Sequence, residues 1–177
     1  MRTTSRGFTL LEMLVVIAII GALVAIGYAA LGEARAKARD TQRKTDLQMM
    51  QIALRLYAEQ YGRYPDQGCV GYAAGPGDNS SWGGCTAEEY AVGLAPNFIP
   101  TLPKDPNQEY DIGRGFIYLS NGVDYKLMVH ASVENDFVTS YSHEFARCPY
   151  SCGASSNCPV APMHTIYAIY TPGAVCW

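Results

Sequence analysis

A single acidic residue, Glu12, lies inside the longest apolar segment of the chain. Residues 8–31 are apolar except for Thr9 and Glu12, and as a helix they are long enough to cross a hydrocarbon core of about 30 Å. A carboxylate in lipid costs about 2 kcal/mol or more and usually has a pairing partner. Snorkelling or protonation near the membrane interface is the alternative interpretation. Glu12 is therefore a candidate for charge pairing with a buried cation.

The cysteines are the second set of residues that could do chemistry. All 6 follow residue 68, a usage typical of disulfides in an oxidising compartment. Cys69 and Cys85 bracket a turn-rich segment and are expected to close it with a disulfide, worth about 3 kcal/mol. The remaining four allow two more bridges in three possible pairings: Cys148, Cys152, Cys158 and Cys176.

Catalytic and zinc-binding interpretations of the same region are not supported. The spacing of Cys148, Cys152 and Cys158, with His143 and His164 nearby, matches neither a Cys-x-x-Cys pair nor a common zinc finger. Ser142, His143 and Glu144 include catalytic residue types, but adjacent residues point apart and do not define a triad. We predict no enzymatic activity.

Several oxygen-bearing side chains before and within the sheet region form a candidate calcium site, because hard cations prefer such ligands. Their spacing is not that of an EF-hand, and solvated loop acids are the alternative. No other cofactor is predicted. The calcium candidates are Asp105, Glu109, Asp111 and Asp124.

Length and charge limit the architecture that positions these residues. The 177 residues suffice for one domain plus an appendage. A net charge of -3 with 16% charged residues gives no indication of a nucleic-acid-binding surface.

After the apolar segment the pattern becomes amphipathic and helical. An apolar stripe recurs at intervals of three and four residues and predicts a helix that packs on a sheet. The helix is expected to end near Tyr61, because Gly62 suits a C-terminal cap and Pro65 prevents continuation. A nearly continuous helix of this length must protrude from a small domain. The stripe consists of Leu47, Met50, Leu54, Tyr57 and Tyr61.

The remaining regular structure is predicted to be a small antiparallel sheet. Residues 116–120 and 123–131 alternate as two strands around Asn121-Gly122, which is typical of a two-residue primed turn. Tyr125, Leu127, Val129 and Ala131 would face the helix, whereas Lys126 and His130 would face outward. Residues 164–170 form a third, terminal edge strand. The predicted fold class is therefore α+β, with the long helix on an antiparallel sheet and disulfide-tied loops.

The N-terminal residues also resemble a known family. Residues 6–12 read RGFTLLE and are followed by MLVVIAIIG, which resembles the processing and methylation segment of type IV prepilins and type II secretion pseudopilins. The resemblance implies cleavage between Gly7 and Phe8 by a prepilin peptidase, then N-methylation of Phe8. It also implies that Glu12 pairs with the N-terminal amine of a neighbouring subunit during assembly.

Two further segments are similar to the same family, with two departures. The helix exit YAEQYGRYP and the segment LPKDP at 102–106 resemble pilin and pseudopilin sequences. Many relatives have proline where this chain has Ala29, and the aromatic-glycine continuation of many major pseudopilins is missing. We expect three parts: a leader that is removed, residues 1–7; a membrane and assembly helix, 8–31; and an extracytoplasmic head, 32–177. In the head we expect the helix to continue to about 61, followed by a loop over 62–110 and by the sheet and cystine-rich region over 111–177.

The resemblance implies a non-catalytic structural subunit of a type IV pilus. The alternatives are a type II secretion pseudopilin or, in another class, a membrane-anchored extracytoplasmic binding module. The implied partners are other pilin-like subunits, the prepilin peptidase, and an inner-membrane assembly platform with its ATPase; no nucleic acid is indicated. We expect a single-pass inner-membrane protein with its head outside the cytoplasm, which then enters a filament at the cell surface or in the periplasm.

Overall fold

The computed structural model describes residues 7–68, 90–107, 115–150, 152 and 164–177, without the side chains at 26, 27, 29 and 30. The α+β class, a long N-terminal helix with a small antiparallel sheet, is confirmed. In chain order the elements are helix α1 (Leu10–Tyr61), strands β1 (Gly115–Ser120), β2 (Tyr125–His130) and β3 (Tyr167–Tyr170), and a short 3₁₀ helix (Pro172–Ala174). The chain divides into two compact units, which we call the N-terminal unit (Met1–Ala36) and the C-terminal unit (Lys37–Trp177).

The N-terminal unit is helical from Leu10 onward. No proline interrupts the sequence of α1, so every residue after the first turn is able to donate its backbone N–H within the helix. Its large apolar side chains are exposed, with Leu10 84% and Leu14 54% accessible. Over the residues that the structure describes, no helical stretch combines the length and apolarity needed to cross a membrane.

In the C-terminal unit, the predicted apolar stripe forms the helix side of the core as far as Leu54; Tyr57 packs against that core partly buried, whereas Tyr61 is 52% exposed and lies outside it. Leu47, Met50 and Leu54 are completely buried. The helix ends at Tyr61 as predicted: Gly62 has φ +71°, and its N–H donates to the Ala58 carbonyl oxygen at 2.8 Å. A positive φ is the geometry that favours glycine at a helix C-terminus.

The sheet has the order β1-β2-β3, with both pairs antiparallel and β3 at an edge, as predicted. On β2, Tyr125, Leu127 and Val129 belong to the core that contains the helix stripe. Ala131 lies past the strand end and has a positive φ of 53°, so it does not extend the predicted alternation. The helix-facing side of β2 is otherwise confirmed.

The opposite face of the sheet is also covered, and this corrects one prediction. Ile117, Met128, Ile166 and Ala168 form a second apolar cluster on that face. Lys126, predicted to face outward, shares this face and is completely buried. Period-two alternation assigns a residue to one of two faces; it does not reveal that chain from elsewhere covers the second one.

The β1–β2 connection also differs from the prediction. The last pair of the ladder is Ser120 with Tyr125, so the loop has four residues rather than the two of a primed turn, and β2 begins at Tyr125. Asn121 Oδ1 accepts hydrogen bonds from the N–H groups of Val123 at 2.9 Å and Asp124 at 2.7 Å. Asparagine side chains favour such local turns, and here that preference lengthens the loop.

Candidate functional site

The start of α1 is a capping box formed by Thr9 and Glu12. Thr9 donates from its N–H at 2.8 Å and from its hydroxyl at 2.7 Å to Glu12 Oε2. In return, the Glu12 N–H donates to Thr9 Oγ1 at 3.2 Å, and the Met13 N–H donates to the Thr9 carbonyl oxygen at 3.3 Å. These are the reciprocal bonds by which Thr-x-x-Glu satisfies the free donors of a first helical turn.

Glu12 therefore caps the helix N-terminus, whether or not it also contacts another molecule. Among the described residues, no cation lies within ion-pair distance of its carboxylate. Phe8, one residue before the cap, is 75% exposed. A Cβ added at Gly7 would meet no atom within 4 Å. Packing within the described chain therefore gives no reason for glycine at position 7.

Gly7, Phe8 and Glu12 thus lie together at the beginning of one helix, but the sequence prediction missed Thr9. The signal was present, because a threonine three residues before a glutamate and ahead of an apolar run is the sequence pattern of a capping box. Cleavage and methylation themselves remain predictions.

A buried ion-pair cluster lies in the C-terminal unit and was also missed. Arg43 is completely buried, and its Nε and Nη2 donate to the two carboxylate oxygens of Asp105 at 2.8 and 2.9 Å. Its Nη1 donates to Asp40 at 2.7 Å and to Glu134 at 2.8 Å. One arginine of α1 therefore binds the loop before β1 and the loop after β2.

Asp40 completes this attachment through the backbone. Its carboxylate oxygens accept the N–H groups of three consecutive residues of the loop after β2, at 3.1 Å from Glu134, 2.7 Å from Asn135 and 3.0 Å from Asp136. Backbone N–H groups in such a turn favour an anion. Lys44 also forms an ion pair with Asp136.

The cluster shifts the titration of its members in opposite senses. Burial opposes the charge on Arg43, but the hydrogen bonds to Asp105, Glu134 and Asp40 outweigh it and raise the pKa of the guanidinium. The hydrogen bond from Arg39 lowers the pKa of Glu134 below its ordinary value. These pairs join α1 to the two loops, because each charged group is bonded to another part of the C-terminal unit.

The calcium candidates are not assembled into a site in the described part of the chain. Asp105 uses both carboxylate oxygens on Arg43, and Asp124 accepts the Gly173 N–H at 3.2 Å. Glu109 and Asp111 lie outside the described residues. Within the described ranges, no three His, Cys, Asp or Glu side chains are grouped to hold a metal ion.

One disulfide is described, between Cys152 and Cys176, with their Cα atoms 5.7 Å apart. This bond belongs to one of the three pairings considered from the sequence. Cys148 is also disulfide-bonded, to a cysteine outside the described residues. The predicted pair Cys69 and Cys85, together with Cys158, lies outside them too, so that bridge stays a prediction.

The Cys152–Cys176 disulfide attaches the C-terminal segment, residues 175–177, which covers Lys126. The Lys126 Nζ donates to the backbone oxygens of Val175 at 2.7 Å and Trp177 at 3.1 Å, and it lies 3.7 Å from Cys148 Sγ. Burial, with repulsion from Arg147, lowers the pKa of Lys126 to about 7. The C-terminal residues thus provide the polar contacts that make this buried lysine tolerable.

The serine, histidine and glutamate at 142–144 do not form a catalytic constellation. Ser142 Oγ hydrogen-bonds with Ser140 Oγ at 2.9 Å, while His143 Nδ1 accepts the Phe145 N–H at 3.1 Å. The His143 ring stacks on Tyr167, with centroids 6.0 Å apart and planes 5° from parallel. The histidine has a packing role.

Comparisons with known proteins agree with the N-terminal site. Residues 2–28 match the prokaryotic N-terminal methylation motif. The chain is also 36% identical over 62 residues to the type IV major pilin protein PilA of Myxococcus xanthus (strain DK1622). That alignment covers 35% of this chain and 28% of the relative, so the chain matches less than a third of the pilin's length. No solved structure matches.

The motif and the capped apolar helix define a class, that of chains carrying an N-terminal methylation segment ahead of an α+β unit. The chain is similar to a type IV pilin over part of its length and matches the methylation motif over residues 2–28. The family resemblance inferred from residues 6–21 is confirmed.

Proposed function

We propose that this protein is a non-catalytic pilin subunit, processed between Gly7 and Phe8 and polymerised through its N-terminal helix. The observation that carries the proposal is Glu12. It is an acid at the start of an exposed apolar helix, with no cation in ion-pair distance among the described residues. The match of residues 2–28 to the methylation motif supplies the chemistry that would give it a partner.

Cleavage after Gly7 would create the missing cation. Hydrolysis of the Gly7–Phe8 bond leaves an α-amine on Phe8, and mono-methylation keeps that nitrogen basic and positively charged. In the assembled filament, the amine of one subunit pairs with Glu12 of its neighbour. Thr9 acts as a positioning residue, because its two hydrogen bonds hold Glu12 Oε2 at the helix start.

The apolar surface of the helix supplies the cohesion of the filament. Leu11 is 72% exposed and Ile17 65% exposed in the single chain. Each large apolar side chain that becomes buried between subunits contributes about 1.5–3 kcal/mol. The amine–carboxylate pair sets the register, because an unpartnered charge among apolar helices is penalised.

The same proposal includes the route to the filament. The apolar run over residues 8–31 supports insertion in the inner membrane before assembly, with the cysteine-bearing unit outside the cytoplasm. A prepilin peptidase, an assembly platform with its ATPase, and other pilin-like subunits are the proposed partners. The similarity to a major pilin favours a type IV pilus over a secretion pseudopilus.

Three single substitutions test the proposal in the source cell. Gly7→Ala should retain the leader, and it should do so without a folding defect, since the added methyl meets no atom of the described residues within 4 Å. Glu12→Gln keeps a side chain that is able to cap the helix but removes its charge, so the leader should be lost while filaments fail to form. Thr9→Ala removes the hydroxyl part of the cap but retains the carboxylate and the backbone N–H that donates to it, and should reduce filament yield less than Glu12→Gln.

Intact mass of the purified chain and electron microscopy of sheared cells measure these outcomes. Mass reports the loss of residues 1–7 and one added methyl group. Normal filaments from Glu12→Gln would show that Glu12 acts only as a cap, and would overturn the pairing mechanism. A wild-type mass that retains the leader in a peptidase-competent cell would overturn the processing step.

A further inference from the structure

A cavity on the C-terminal unit contains a carboxylate that the ion-pair cluster does not use. It measures about 570 Å³, within the range of about 300–1,000 Å³ typical of small-molecule pockets. Asp46 of α1 forms part of its wall and is only 8% exposed. The other walls of the cavity include Gln42, Pro96, Pro100, Thr101 and Pro103.

Asp46 differs from the other buried acids of this unit. Asp40 and Asp105 are bonded to Arg43 and to backbone N–H groups. Across the described residues, Asp46 makes neither a hydrogen bond nor an ion pair. Its removal from water and repulsion from Asp105 raise its pKa above the ordinary value. A carboxylate so placed costs free energy unless a donor or a cation binds to it.

The ion pairs around the cavity leave one carboxylate unpaired, which would favour the binding of a cation. Four carboxylates lie in or beside this region, and among the described residues Arg39 and Arg43 form ion pairs with three of them, Asp40, Asp105 and Glu134. Lys44 is matched separately by Asp136. Asp46 is therefore the carboxylate of this group without an ion-pair partner among the described residues. The four carboxylates are Asp40, Asp46, Asp105 and Glu134.

The other walls identify the kind of cation. Proline rings and aliphatic side chains make most of the surface, and no three metal-ligating side chains are grouped in the described residues. A bare metal ion requires several oxygen ligands. An organic cation with an aliphatic stem instead places its methylenes on the prolines and its charged head on the acid.

We propose that this cavity binds an alkylammonium or alkylguanidinium group, with Asp46 accepting its hydrogen bonds and Pro96, Pro100 and Pro103 contacting its stem. Thr101 and Gln42 add polar atoms at the wall. The group belongs either to a free small amine or to a lysine or arginine side chain of a second copy. The site is independent of the helix start, so leader processing is unaffected by its loss.

Solution NMR of the ¹⁵N-labelled full chain in detergent micelles tests the site. The probes are N-acetyl-lysine methylamide, the arginine analogue, and the neutral norleucine analogue as control. Saturable shifts at Thr101, Leu102 and Lys104 with the charged probes alone support the proposal. Asp46→Asn should weaken binding about tenfold or more. The matched control Asp66→Asn removes an acid whose side chain is 69% exposed and should leave binding unchanged.

Dilution of the labelled chain without any probe separates the two sources. Shifts at the same residues that grow with protein concentration and vanish in Asp46→Asn identify a side chain of a second copy. Binding of the free probes without concentration dependence identifies a small amine. The proposal is overturned if the neutral analogue binds equally, if Asp46→Asn binds as the wild type does, or if neither probe nor concentration shifts these residues.

Discussion

The two halves of α1 contain the same kinds of apolar residue in opposite situations. In the N-terminal unit Leu14 is 54% exposed, whereas in the C-terminal unit Leu54 is completely buried. The charges differ in the same way. Glu12 has no cation near it among the described residues, while Arg43 bonds three acids from α1 and two loops.

This difference predicts that substitutions in the two units have different effects, on folding stability in one and on assembly in the other. Apart from Asp46, the described C-terminal unit buries or pairs within itself the apolar and charged groups compared here, so substitutions there should change folding stability. In the described N-terminal unit the apolar side chains are exposed and Glu12 has no ion-pair partner, so under the proposed function substitutions there should change assembly with little effect on stability. The following experiments test that distinction on the full chain in detergent micelles.

Arg43→Met should produce the largest loss of stability. Removing the guanidinium leaves three carboxylates without their common partner, and breaking a buried ion pair on one side costs about 3–5 kcal/mol. Urea unfolding followed by near-UV circular dichroism measures the change. Arg55→Met on an exposed part of the same helix is the control and should stay close to wild type. A loss below about 1 kcal/mol for Arg43→Met would mean that the cluster relaxes.

The same leucine substitution in the two units gives the most direct comparison. Leu54→Ala opens a cavity in the core and should reduce the free energy of unfolding by about 2–5 kcal/mol. Leu14→Ala should change it by less than about 0.5 kcal/mol but reduce filament yield in cells. If Leu14→Ala lowered the free energy of unfolding as much as Leu54→Ala, Leu14 would be buried within the single chain. The proposed role of the N-terminal unit in assembly would then be contradicted.

Removal of the described disulfide should have the next largest effect. The double variant Cys152→Ser, Cys176→Ser should lose about 2–4 kcal/mol, because the unfolded chain is no longer cross-linked. The released C-terminal segment should also uncover Lys126, whose Nζ contacts Val175 and Trp177. Faster acylation of Lys126, located by peptide mass mapping, checks this; an unchanged rate would show that packing alone holds the segment.

Two acids should give small pH effects of opposite sign. Glu134 has a lowered pKa in the folded chain, so its stabilisation is present above its ordinary value of 4.5 and is lost as pH falls. Asp46 has a raised pKa, so its ionisation destabilises the fold as pH rises above its ordinary value of 3.8. At pH 7, Glu134→Gln should therefore be less stable than wild type and Asp46→Asn, without ligand, more stable.

Unfolding free energies between pH 3 and pH 7 measure both differences, which should shrink toward zero at the acidic end. An Asp46→Asn variant less stable than wild type at pH 7 would indicate that Asp46 already has a stabilising partner. That result would also count against an empty cation site.

Much of the fold was predictable because its signals are local. The stripe containing Leu47 and Leu54, the cap at Gly62 and the alternation of Tyr125, Leu127 and Val129 each arise within a few residues. The capping box at Thr9 was equally local and could have been found. The prediction of a two-residue turn was wrong. It relied on the Asn-Gly pair and did not consider that the Asn121 side chain is able to order a longer loop by accepting the N–H groups of Val123 and Asp124.

The N-terminal motif and the order of helix and strands could be derived from sequence, because the methylation motif, the helical period and the strand alternation are all local patterns of neighbouring residues. Tertiary structure alone decided the environments of Arg43, Asp46 and Lys126. Arg43 meets Asp105 across 62 residues of chain and Glu134 across 91. Whether a charged side chain is bonded, buried without a partner or exposed depends on which distant segments cover it, and local pattern contains no record of those contacts.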